Sequence, residues 1–251
     1  MKEEYIKKEA WSKIFSFLKS RNDIYIKDEG SCKMFIESIY WMARTGAQWR
    51  ELESSYGKWN SIYKRFKAWS EKNIWSELLE FCIEDPDLEY VMVDATIVRA
   101  HPCAAGFKKD SQARQALGRS KGGFSTKIHA KVDALGNVLK LIITPGQRNE
   151  ATQATTLLEG YTGEYTLGDR AYDSNEIRKT IKEKGSKAVI PPQSNRIIQH
   201  EYDKHIYKER HAIECFFGKI KHFRRIFSRY DKEGRTYAAF LSFVGAILWL
   251  R

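Results

Sequence analysis

The sequence is poor in the features that mark several protein classes. Its four cysteines, Cys32, Cys82, Cys103 and Cys215, are scattered and form no Cys-x-x-Cys pair, which argues against a disulfide framework and a zinc knuckle. No apolar run reaches the roughly 18 residues of a membrane helix. The longest candidate, residues 238–250, reads as a buried final helix. The segment MKEEYIKKEAW is charged where a signal peptide would be apolar. A cytosolic protein with reduced thiols and no membrane partner is therefore expected. A Gly-rich nucleotide fingerprint and a Ser-His-Asp motif are both missing, which sets aside most small-molecule enzymes. Proline is absent before Pro86, and glycine occurs before residue 100 only as Gly30, Gly46 and Gly57.

What is present divides the chain in two. Six of the seven tryptophans lie in the first 75 residues. An aromatic-rich stretch without proline suits helices packed on one another. After Pro86, short β-rich runs appear at 90–98, 125–132, 138–144, 164–168 and 188–190, with helical patterns between the later ones. The acidic segment EDPDLE marks the change, so a helical domain over 1–85 and an α/β domain over 86–251 are expected. Lys and Arg number 43 against 32 Asp and Glu, a formal net charge of +11. Such an excess points to a polyanionic partner.

The helical part carries a candidate helix-turn-helix. Helical patterns at 48–55 and 58–72 flank the turn Ser55-Tyr56-Gly57. In the second of them Trp59, Ile62, Tyr63, Phe66 and Trp69 share one face, which reads as core. Asn60, Ser61 and Lys64 face away, flanked by Lys58, Arg65 and Lys67, and such side chains can donate to phosphates and base edges. A plain helical bundle with a solvated basic face fits the same pattern.

Three acids stand out in the second part. Asp94 interrupts the apolar run YVMVDATIV, where a carboxylate needs a cation, a metal or a cluster of donors. Asp169 closes the strand EYTLGD, just before a helix capped by Ser174. Carboxylates at strand ends on one sheet edge are how proteins hold Mg2+ or Mn2+. Glu214 lies on a helical pattern over 207–229. There Tyr207, Arg210, Glu214 and Lys221 fall within about 60° of the helix wheel, and Arg224 and Arg225 continue the stripe. Ile213, Phe216, Ile220, Phe223 and Phe227 occupy the opposite, buried face. One acid among cations fits a metal ligand flanked by phosphate clamps. A structural salt bridge or a turn-forming Asp is the competing explanation for Asp94, and a solvated charged face for the stripe around Glu214.

The loop over 107–131 carries Lys108, Lys109, Arg114, Arg119, Lys121, Lys127 and Lys131 against the acid Asp110. Lys121 and Lys127 are its candidates for tracking a DNA backbone; a mobile surface loop is the alternative. The histidines show no ligand spacing.

The pattern Tyr207-x2-Arg210-x3-Glu214-x6-Lys221 resembles the Y-R-E-K signature of DDE transposases of bacterial insertion sequences. VDATIVRAH around Asp94, GRSKGGFSTKIHAKVDALGN from Gly118, TPGQ from Thr144 and GDRAYDS around Asp169 extend the likeness, which is nearest to the insertion-sequence-five group. The resemblance implies a ribonuclease-H-like mixed sheet flanked by helices, preceded by the helix-turn-helix domain. It implies Asp94, Asp169 and Glu214 as catalytic and metal-binding triad, with two Mg2+ or Mn2+ ions. Tyr207, Arg210 and Lys221 would hold DNA phosphates, joined by Arg224, Arg225, Lys121, Lys127, Asn60, Lys64 and Lys67 as further DNA-binding candidates. Implied partners are double-stranded DNA, as terminal inverted repeats and target, and a second copy of the chain. The implied location is the bacterial cytoplasm, at the nucleoid. Relatives with a β insertion before the last acid have at most a short counterpart here, near 193–203. Ala95 stands where many relatives have Gly. Asn149 and Glu150 stand where a His-Asp type pair is expected, and neither is assigned a catalytic role. A nuclease or junction resolvase on the same core, or a DNA-binding regulator with an inactive core, are the alternatives.

Overall fold

The structure, a computed structural model, describes residues 5–105 and 115–251. Four helices come first: α1 (Lys8–Lys19), α2 (Glu29–Thr45), α3 (Trp59–Glu71) and α4 (Ile74–Cys82). Local chemistry sets their ends. Asp28 caps α2 by accepting the Ser31 amide at 2.8 Å, and Gly46, at φ +66°, ends it in the left-handed conformation that glycine adopts without strain. The expected helix at 48–55 is instead two single 3-10 turns, Trp49–Glu51 and Ser54–Tyr56. A tight helix-turn-helix therefore does not form, and a longer connection joins α2 to α3. On α3, Ile62, Phe66 and Trp69 are buried while Asn60, Ser61 and Lys64 are exposed, as the periodicity predicts.

The sheet is built from β1 (Tyr90–Ala100), β2 (Gly118–Ser120), β3 (Gly123–Val132), β4 (Val138–Pro145), β5 (Tyr165–Leu167), β6 (Lys187–Val189) and β7 (Ser228–Arg229). β3 pairs antiparallel with β1, β2 and β4, whereas β5 runs parallel to both β1 and β6. The order β4-β3-β1-β5-β6, with β1 central, is the mixed ribonuclease-H-like sheet. Two cores cover its faces. On one side α5 (Ala154–Leu158) and α6 (Asn175–Glu183) pack with Val93, Tyr172 and Ile190. On the other lie α7 (His211–Lys221), α8 (Arg224–Phe227) and α9 (Gly234–Trp249).

α9 is apolar almost all round and buried accordingly. It touches both α4 and β4: the Phe243 ring meets the Trp75 ring edge-on at 5.4 Å between centroids, and the Trp249 indole donates to the Val138 carbonyl at 2.6 Å. One continuous core thus runs from the four N-terminal helices into the sheet, across the compositional change at 84–88.

The expected helix over 207–229 is broken. A 3-10 stretch, Ile206–Arg210, leads into α7. The chain then turns extended at Phe223, makes the short α8, and pairs Ser228 and Arg229 with β1. Tertiary partners override helix propensity here. Phe227, expected in the core, is 62% exposed because the break rotates it outward. Residues 193–203 form turns without a strand.

Candidate active site

The register of the sheet brings two acids together. Met92 pairs with Leu167 in the parallel β1–β5 ladder, so two residues further on Asp94 lies opposite Asp169. β5 has ended by then and β7 joins only at Arg99, which opens a notch in the sheet edge beside Asp94. Crevices beyond strand ends are where α/β sheets bind ligands. Asp169 caps the turn Arg170–Tyr172, accepting the Ala171 amide at 2.9 Å. Asp94 Oδ1 accepts its neighbour's amide, Ala95 N–H, at 2.8 Å. Burial raises the Asp94 carboxyl above the usual carboxylate range, against the opposing pull of the Ala95 amide and Arg210.

The stripe predicted on the third acid's helix lies across this notch. Arg210 donates to Asp94 Oδ2 at 2.6 Å and to Glu214 Oε1 at 2.5 Å. A single guanidinium therefore links the first and last acids of the expected triad. Lys221 reaches Thr96, two residues along β1, at 2.6 Å, and burial lowers its pKa. Tyr207 lies beneath the Arg210 guanidinium, 5.9 Å from ring centroid to carbon, and burial raises its hydroxyl above the ordinary tyrosine value. Glu214 itself remains half exposed.

An acid that the sequence left without a role completes the notch. Oxygens of Asp94, Asp169 and Glu150 lie within 4.8 Å of one another, while Glu214 stands outside this trio. Glu150 opens the turn that follows β4, and Lys127 of β3 donates to it at 2.9 Å and to the Arg148 carbonyl at 2.8 Å. The signal available in the sequence was positional: like Asp169, Glu150 follows the end of a sheet strand. Three carboxylates and no nitrogen or sulfur donor suit a hard divalent cation. Beside them the Tyr172 hydroxyl is buried with no hydrogen-bond partner among the described residues. Burial, then the charges of Glu150, Asp94 and Asp169, keep that hydroxyl protonated far above its ordinary value.

A family profile described as "Transposase DDE domain" matches residues 85–249. The chain belongs to the DDE transposase family. A second profile, "Putative transposase of IS4/5 family", matches residues 6–79 of the transposase. Among relatives, the "Putative transposase for insertion sequence element IS6501" of Brucella ovis is 39% identical over 129 residues, 51% of this chain and 99% of that protein. The "Transposase for insertion sequence element IS1106" of Neisseria meningitidis serogroup B is 31% identical over 118 residues, 45% of this chain and 41% of that protein. Among solved structures, the piggyBac transposase synaptic complex with hairpin DNA aligns at TM-score 0.43 and 14% identity, over 76% of this chain and 48% of that one. The Mos1 paired-end complex aligns at TM-score 0.28 and 12% identity, over 91% of this chain and 82% of that one. As a DDE transposase the protein is a phosphodiester-transfer enzyme acting on DNA, of a class that uses divalent metal, and the donor set above fits such an ion. No helix among the described residues is long and apolar enough to cross a membrane.

The transposase's remaining basic candidates separate by burial. Arg225 was expected on the DNA-facing stripe, but it is buried: it grips Asp231 with two nitrogens at 3.1 and 3.0 Å and donates to the Ala47 carbonyl at 2.9 Å. The break after α7 turns it inward, onto the Trp49 and Phe240 rings. Lys127 is likewise corrected from a DNA-tracking loop residue to a buried partner of Glu150, because β3, paired on both sides, points it toward the Arg148 carbonyl and Glu150. Lys67 is engaged by Glu233 at 2.7 Å, which removes it as a free cation. Lys121, at the β2–β3 turn, and Arg224, Asn60 and Lys64 are exposed. Lys131 is buried too, donating to the Glu159 and Tyr161 carbonyls. Lys108, Lys109, Asp110 and Arg114 lie outside the described residues. Asp173 is a structural hub, taking Arg178 at 2.8 Å, Arg196 at 2.6 Å and the Gln193 amide at 2.8 Å.

Proposed function

We propose that this chain binds the terminal inverted repeats of its insertion sequence, cuts there, and joins the freed ends to target DNA. Asp94, Asp169 and Glu214 are the catalytic acids of this proposal, and two Mg2+ or Mn2+ ions are their metal complement. The observation that carries it is the shared notch: Asp94 and Asp169 meet across the β1–β5 register, and Arg210 ties Asp94 to Glu214. When bound, such ions activate the attacking oxygen and stabilise the leaving one.

The chain's own groups supply the rest. Arg210 neutralises two acids that would otherwise repel each other. Its planar fork also matches a phosphate, so the same side chain serves as a clamp once DNA enters. Lys221 and Tyr207 flank it along the notch, where burial sharpens any contact with a phosphate. Residues 1–85 form the end-recognition part, with Asn60 and Lys64 on the exposed face of α3, and 86–251 the catalytic part. Lys121 and Arg224 contribute charge along the DNA backbone. A homodimer holding two ends together, at work on the nucleoid, completes the picture.

The test incubates the purified protein with linear DNA carrying the element's termini and Mg2+ or Mn2+. Cleavage at the ends, joining to a second duplex, and loss of both in Asp94→Asn are expected. Cleavage that persists in Asp94→Asn refutes the site. Cutting without joining favours the nuclease or resolvase alternative.

A further inference from the structure

The fourth carboxylate, Glu150, is more than a salt-bridge partner. Lys127 engages its Oε1 and leaves the second oxygen without that contact. The Lys127 amine is itself buried, and it is pinned by the Arg148 carbonyl as well. A buried ammonium held at two points fixes where the Glu150 carboxylate sits, and fixed carboxylates are what a metal centre needs. Three acids gathered within 4.8 Å do not by themselves make a site. The independent observation is Tyr172. Its hydroxyl is buried without a partner among the described residues, in a fold where buried polar groups are almost always paired. It is a donor that feels the charges of all three carboxylates, on a turn packed against the one that carries Glu150.

We infer that Glu150 is a fourth carboxylate of the metal centre, positioned by Lys127, and that Tyr172 donates a hydrogen bond to an oxygen held in that centre. The inference rests on Asp94 and Asp169 being metal-binding acids, as proposed above. Glu214, held by Arg210, then joins the site from α7, while Glu150 joins it from the turn after β4. The centre is built from four separated segments of chain: β1, the turn after β4, the turn after β5, and α7.

The experiment titrates Mn2+ into the full-length protein without DNA and counts bound ion from the loss of the free-Mn2+ electron paramagnetic resonance signal. Glu150→Gln is expected to weaken Mn2+ binding by about tenfold or more, and Lys127→Met by about tenfold, with Lys127→Arg restoring part of it. Tyr172→Phe removes one unpaired hydroxyl from the core. It is expected to leave the metal-free melting temperature unchanged or higher while reducing the rise in melting temperature that Mn2+ produces. Asp94→Asn is the control for the underlying site. If Asp94→Asn loses Mn2+ while Glu150→Gln and Tyr172→Phe bind it like the parent, the fourth-ligand inference is wrong and the triad stands. If Asp94→Asn also binds like the parent, the metal site itself is wrong. Should Glu150→Gln fail to fold, Tyr172→Phe and Lys127→Arg carry the decision.

Discussion

The Arg225–Asp231 pair offers a sharp test of which cations serve the fold and which serve DNA. Both side chains are about 95% buried, at 4% and 5% exposure, and joined by two hydrogen bonds. Arg225→Met keeps the aliphatic stem between Trp49 and Phe240 but strips the buried Asp231 carboxylate of both Arg225 hydrogen bonds. Breaking one partner of a buried pair costs about 3–5 kcal/mol. For a chain of this size each kcal/mol moves the melting temperature by roughly 2–4 °C. The expected fall is therefore about 6–20 °C by calorimetry or circular dichroism. The double variant Arg225→Met with Asp231→Leu removes both charges and should recover much of that loss, because an apolar replacement of a buried pair is often neutral. The reasoning fails if Arg225→Met melts within 2 °C or so of the parent yet loses DNA affinity, for then the guanidinium was a phosphate contact all along.

Two further expectations concern charge. Burial lowers the His129 pKa to about 4, so the unfolded chain binds more protons than the native one between that value and the ordinary histidine pKa near 6.5. The His129 contribution to stability is fully present above about pH 6.5 and fades as pH falls toward 4, by about 2–4 kcal/mol. Urea midpoints at pH 7.5 and 5 should show a steep drop in the parent and a shallower one in His129→Gln; equal slopes would refute it. In DNA binding, Lys64→Ala and Lys121→Ala should each reduce the salt dependence by about one unit of slope, whereas Lys127→Met should leave the slope unchanged. A slope change in Lys127→Met alone would reverse that assignment.

The sequence made the two sheet acids visible because each breaks a local rule. Asp94 sits in a run of buried aliphatics, and Asp169 sits at a strand end ahead of a capped helix. Their meeting depends only on the register between β1 and β5, which the apolar pattern of both strands specifies. Glu150 was hidden because an acid in the first turn after Asn149 is what ordinary helix capping also produces. Only the pairing of β3 with β4, which carries Lys127 to Arg148, shows where it points. Arg210 and Arg225 lie on one stripe of an ideal helix, and nothing local distinguishes them. The chain bends at Phe223 because Ala47, Asp231 and β1 all supply partners beyond it, and Ala47 and β1 lie far away in sequence. The face of α3 was legible from periodicity, while the two 3-10 turns before it were not, since Trp49 is placed by Tyr63 and Phe240 rather than by its neighbours.

The burial of α9 between α4 and β4 has a consequence for dissecting the protein. A fragment ending near residue 85 would carry Phe66, Trp75 and Leu79 with their apolar surfaces stripped of the helix that covers them. Shortened polypeptides of that kind should clump or be degraded rather than occupy DNA as stand-alone competitors. Silencing such an enzyme by expressing its front end therefore requires supplying residues 234–249 in trans or by fusion.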